Sequence, residues 1–142
     1  MRFRFCSFTL GIVLWAVVSL NGCGGGGEAP ADKSWHHPAS LSDNISPAGQ
    51  DARSPQVAMD NEGTVIIVWV QSDGTNDQIF KSEYRNGVWI HPANLSDHIS
   101  PAGGNASSPN VAMDNNGNAI IVWPQYNGTN WQVHKSEYRE GI

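Results

Sequence analysis

Residues 55–71 read PQVAMDNEGTVIIVWVQ, and residues 109–125 read PNVAMDNNGNAIIVWPQ. In the first stretch, Val57 and Met59 alternate with polar neighbours, which is the period of a half-buried β-strand. Asn61-Glu62-Gly63 turns the chain, because glycine accepts the positive φ that tight turns require. Val65 to Gln71 is then apolar on both faces, the signature of an interior strand covered on both sides. No helix-period pattern accompanies either stretch.

Working outward, the whole of residues 37–88 returns as residues 91–142, at an offset of 54 with no gap and with 35 of 52 aligned positions identical. The repeats are set at 37–90 and 91–142. Past the quoted stretch, Ser72 to Asn76 turns, Gln78 to Tyr84 alternates as a half-exposed third strand, and Arg85-Asn86-Gly87 turns again. Val88 to His91 is a fourth strand running on towards Pro92 and Leu95. Pro92 suits an outer strand, where a missing donor does little harm. The second copy predicts strands at 109–114, 119–125 and 132–138 without a fourth, and Pro124 predicts a bulge or an early strand end.

Four antiparallel strands in about 50 residues, with a turn between each, is the composition of a β-propeller blade. The fold class is therefore all-β: two tandem four-stranded antiparallel propeller-type blades. Ser34 to Leu41 matches Val88 to Leu95 and predicts an N-terminal orphan outer strand. The repeat domain is 34–142. Two blades do not close a ring, which takes roughly 4–8. Either several copies close it together as a homo-oligomer, or the chain is part of a longer array. A lone pair of blades leaves sheet edges unpaired.

The run Val57-Ala58-Met59-Asp60-Asn61-Glu62-Gly63 with Ile66-Ile67-Val68-Trp69 resembles the VAxDxxGxxxVVW pattern of bacterial propeller repeats. It is similar to sialidase-like repeat proteins and, more loosely, to NHL-type and Tol-system propellers. Closing a ring from two-blade protomers resembles small bacterial and fungal lectins. The sialidase Asp box, Ser-x-Asp-x-Gly-x-Thr-Trp, is not matched: Asp60 and Gly63 stand one residue too far apart. Arg85 and Arg139 occupy one blade position, so with Arg53 they do not form an arginine triad. Sialidase activity is not carried over.

At the N-terminus, Arg2 and Arg4 precede an apolar run from Phe8 to Leu20 that is shorter than the ~20 residues of a membrane span. It ends in Leu20-Asn21-Gly22-Cys23, which resembles the lipobox of bacterial lipoproteins. That resemblance implies a signal peptide at 1–22, cleavage before Cys23 and acylation of its sulfur. Acyl chains hold a soluble domain on a bilayer at about 0.8 kcal/mol per buried methylene. Residues 23–33, with Gly24 to Gly27, form a flexible tether. The expected location is the exported cell envelope, at the outer membrane or cell surface.

Loss of residues 1–22 leaves 6 Lys and Arg against 13 Asp and Glu, a net charge of −7. With no basic stripe, nucleic acid is excluded as a partner. Cys23 is the sole cysteine of the processed chain, so no internal disulfide forms.

Trp69 and Trp123 belong to blade packing, and Tyr84 and Tyr138 to strand ends. Trp35 and Trp89, in outer strands, are candidates for stacking on a sugar. Asp43 and Asp97 lie in the inter-blade loops Ser42–Gly49 and Ser96–Gly103, which line a propeller face and carry polar groups. Asn76, Asn130 and Trp131 are candidates in the turns that follow the second strands. Asp73-x-Thr75-x-Asp77 hints at a calcium loop, but Trp131 replaces the last acid in the second copy, so no metal is assigned. No nucleophile–base arrangement, paired carboxylates or phosphate loop is present, so neither enzyme activity nor a cofactor is expected. The expected function is a non-enzymatic binding module for a carbohydrate or a protein. The alternatives are a truncated glycan-acting propeller protein and a structural spacer.

Overall fold

The computed structural model describes residues 33–139. The chain divides into two units, 1–36 and 37–142. The signal and tether expected at 1–33 lie almost wholly outside the described residues, as do residues 140–142. Among the described residues, no helix is long and apolar enough to cross a membrane.

Among the described residues, seven strands build two antiparallel sheets. The first sheet holds β1 (Ala52–Met59), β2 (Val65–Ser72), β3 (Asp77–Arg85) and β4 (Val88–Ile90), ordered as in the chain. The second holds β5 (Asn110–Met113), β6 (Ala119–Tyr126) and β7 (Trp131–Tyr138), ordered likewise. The all-β expectation holds. The second sheet has three described strands, the number expected from the second copy's own sequence, and the two sheets do not close on themselves.

Local chemistry explains each hairpin. Asp60 Oδ1 accepts the Glu62 and Thr64 amides at 2.9 and 2.8 Å, and Asp114 Oδ1 does the same for Asn116 and Asn118. The Asp of the repeated VAMDN motif is thus the side-chain cap of the β1–β2 and β5–β6 turns. Asn86 (φ 54°) and Gly87 (φ 81°) both take positive φ in the two-residue loop between β3 and β4, the backbone that Asn-Gly hairpins favour.

The sheets stack face to face. Ile66, Val68, Val70 and Ile79 of the first meet Ala119, Ile121 and Trp123 of the second and Ala106 of the linker before it in one core, and Ile99, Val111 and Met113 pack against it. Burial contributes about 1.5–3 kcal/mol per large apolar side chain. At one end the sheets part around a cavity of about 150 Å³ lined by Ile66, Lys81, Glu83, Ala119 and Ser136. Arg85 closes the same side, its guanidinium 4.1 Å from the Tyr138 ring centroid.

Three expectations are corrected. Residues 34–41 form no strand: 33–38 lack regular structure and a turn follows. A strand exists only where a neighbour takes its backbone bonds. Here the Ala39 and Ser40 amides go instead to Asp43 Oδ2. The fourth strand of the first copy ends at Ile90, short of His91. Pro124 neither bulges nor ends β6, which pairs with β7 without interruption from Ala119↔Tyr138 to Tyr126↔Trp131. Its missing donor faces the other neighbour: Ser107 N donates to Pro124 O at 3.1 Å, and Pro124 has no N–H to return the bond. The register shift lies in the first copy instead, between Arg53 and Gln56.

Candidate functional site

Each sequence-selected residue from Trp35 onward has a definite place. Asp43 Oδ2 accepts the Ala39 and Ser40 amides at 2.7 and 3.3 Å, and Asp97 Oδ2 accepts those of Ala93 and Asn94 at 2.8 and 3.2 Å. In each, one carboxylate oxygen caps its own turn. Trp89 stacks on His91 (centroids 5.4 Å apart) and tilts against Tyr84 (5.3 Å). His91 Nδ1 in turn lies 2.9 Å from Ser82 Oγ. Trp89 therefore covers the sheet edge. Trp35 is exposed and lies in no strand. Leu20, Asn21, Gly22 and Cys23 lie outside the described residues.

The turn after β2 is held by Asp73, whose Oδ1 accepts the Thr75 and Asn76 amides at 2.7 and 2.8 Å. The Asn76 amide leads the hydrogen bonds that hold the Asp73 carboxyl below its usual range against the opposing effect of burial. Asp77 forms an ion pair with Arg53. Asp73 and Asp77 are thus each satisfied within the protein, and the described residues contain no group of three or more metal-ligating side chains.

The second copy differs at the same place. Asn127 Oδ1 accepts the Thr129 and Asn130 amides, both at 2.9 Å, reproducing the turn without charge. Tyr126 and Trp131 flank it as a tilted aromatic pair with centroids 5.8 Å apart, Trp131 being 55% exposed. Tyr126 OH donates to Gly128 O at 3.0 Å, which fixes the ring. Asn127 and Asn130 are exposed beside the pair. Trp131 and Asn130 are therefore brought together, whereas Asn76, their counterpart's neighbour, sits by the Arg53–Asp77 pair. Sequence reading missed Tyr126. Its signal was Ser72 becoming Tyr126 as Asp77 became Trp131, a paired change at facing positions.

A second cavity of about 300 Å³ lies on the outer face of the first sheet, lined by Asp43, Asn44, Ile45, Ala52, Ile67 and Trp69 among others. Gln71 ties the lining residue Trp69 to the preceding loop. Its Oε1 accepts Trp69 Nε1 at 3.1 Å, and its Nε2 donates to Pro47 O and Gln50 O at 2.7 and 2.8 Å. Gln125 repeats this clamp with Trp123, Pro101 and Gly104. The pattern Trp-x-Gln in both copies was the available signal.

No protein family matches the chain, and neither a curated protein nor a solved structure matches it.

Proposed function

We propose that the chain is a cell-envelope lipoprotein that presents propeller-type repeats as a non-enzymatic binding module, with a carbohydrate as the favoured ligand class. The observation that carries the reading is the exposed Tyr126–Trp131 pair beside the exposed Asn127, whose Oδ1 caps the turn, and Asn130. An aromatic face takes the C–H face of a sugar ring, and neighbouring amides take its hydroxyls, without a charge on either side. The propeller-type reading is supported by two sheets of the same meander order, related by the 54-residue shift and stacked through their faces. The lipobox resemblance at Leu20, Asn21, Gly22 and Cys23 supports anchoring, and the Gly-rich tether lets the module stand away from the bilayer.

Two measurements test this. Replacing Cys23→Ser is expected to release the protein from the membrane fraction. The detergent-solubilised lipoprotein applied to a glycan array is expected to give hits that fall at least about 10-fold with Trp131→Ala, the loss of one aromatic contact of ~1.4 kcal/mol or more. The same hits are expected to persist with Trp89→Ala. A blank array would remove carbohydrate as the ligand.

A further inference from the structure

The interface between the two sheets uses one face of each, and the repeat places a copy of both faces on the outside. On the inner side, Ile79 is fully buried; its counterpart Val133 is 80% exposed. Val111 and Met113 are half-buried against the first sheet; their counterparts Val57 and Met59 are 64% and 67% exposed. Buried Ala106 and Ser100 correspond to exposed Ala52 and half-buried Ser46. Among the described residues, two half-interfaces are therefore unfilled, one at each end of the stack, and each is the complement of the other.

The backbone chemistry repeats as well. Beyond β4, the outer edge of β3 is taken by the linker of the second copy. Ile99 N donates to Ile79 O at 2.8 Å and Ala106 N to Asp77 O at 2.7 Å. Ile79 N donates to Ser100 Oγ, Ser100 Oγ to Gln78 Oε1, and Asp77 N to Asn105 Oδ1. Shifted by 54 residues, these donors and acceptors become Ile45, Ala52, Ser46 and Asp51 at one end and Trp131, Gln132 and Val133 at the other. Each substitution keeps its role: Asp51 accepts as Asn105 does, and Gln132 and Ser46 are unchanged. Among the described residues, no strand pairs with the outer edge of β7, and an open edge of this kind recruits a partner chain.

The geometry points to head-to-tail self-association, in which the linker and front face of one copy (Ser46, Ala52, Met59) seat on the β7 edge and back face of the next (Gln132, Val133). The inference rests on the reading of the sheets as stacking, propeller-type units. It is a heterologous contact, which generates a ring or a filament rather than an isolated dimer.

Thiol crosslinking of the full, membrane-anchored chain with a short bismaleimide tests it. Ser46→Cys combined with Gln132→Cys is expected to give a ladder of dimers and larger species. Either substitution alone is expected to give monomer, and adding Val133→Asp to the pair is expected to abolish the ladder. The pair Lys81→Cys and Ser136→Cys, which faces across the internal cavity, is expected to crosslink within one chain. If this internal pair reacts and the ladder is absent, self-association is overturned while the stacked-sheet reading stands. If the internal pair does not react, the stacking itself fails and the inference falls with it. Dimers from the single variants at the yield of the double variant would show a non-specific or face-to-face contact and overturn the head-to-tail arrangement.

Discussion

Gln71 shows why a polar side chain stands in an otherwise apolar strand. It is fully buried, and both polar atoms of its amide are used, one accepting from the Trp69 indole and one donating to two loop carbonyls. Removing it strands those partners without water, and each buried unsatisfied group costs about 1–3 kcal/mol. Gln71→Ala is therefore expected to lower stability by about 2–4 kcal/mol, read as a lower urea midpoint with an unchanged slope. Thr129→Ala, in an exposed turn, is expected to change stability by less than about 0.5 kcal/mol. The role of Gln71 was not legible in the chain because its partners Pro47 and Gln50 lie more than twenty residues away. Asp43 and Asp97 differ from Gln71 in having short-range partners. Their partners are so local that the carboxylates cap their own turns, leaving less capacity for a ligand.

At the scale of the strand, the two copies diverge where Val70 becomes Pro124. In the first copy the ladder continues from Val70↔Arg53 to Gln71↔Ala52 beyond a register shift. In the second it stops at Val122↔Asn110, and Ala106↔Gln125 survives only as an isolated bridge. The cause is one absent N–H. Ser54 (φ 54°) and Ser108 (φ 45°), both before a proline, hold the left-handed backbone that offsets the strand at this point in each copy. Pro124→Val is expected to restore the returning bond to Ser107 and extend β5. It should raise stability by about 0.5–1 kcal/mol and give residue 124 an amide protected from hydrogen exchange. An amide that exchanges as fast as those of the exposed turns would contradict this account. Strand positions in both copies followed from alternation and turn residues to within a few residues. The orphan strand at 34–41 did not materialise, because matching sequence confers a strand's preferences but not the neighbour that holds it.

Across the whole molecule, acid weakens the fold. Asp60, Asp73, Glu83, Asp114 and Glu137 all titrate below their ordinary values. For Glu83, burial raises the value, but hydrogen bonds and charge from Lys81 and Arg85 outweigh it. For Asp60, burial is likewise opposed and outweighed by hydrogen bonds from its own turn. A carboxyl with a depressed folded-state pKa favours the fold when ionised. That stability is fully present above the unfolded-state values near 4 and is lost as pH falls through the lower folded values. Thermal midpoints are therefore expected to stay level from about pH 8 to 6 and to drop steeply below about pH 4. A midpoint that rises on acidification would contradict it.

The chain by itself determined the strands, the turns and the two-fold repetition, since these rest on alternation, Asp and Asn caps and glycine, all acting within a few residues. Only the tertiary structure decided which face of each sheet is covered. Repeat-equivalent residues have the same sequence preferences, yet Ile79 is buried and Val133 exposed, because a sheet face is covered only where a second sheet lies against it, and that is a property of position in the stack rather than of the residue.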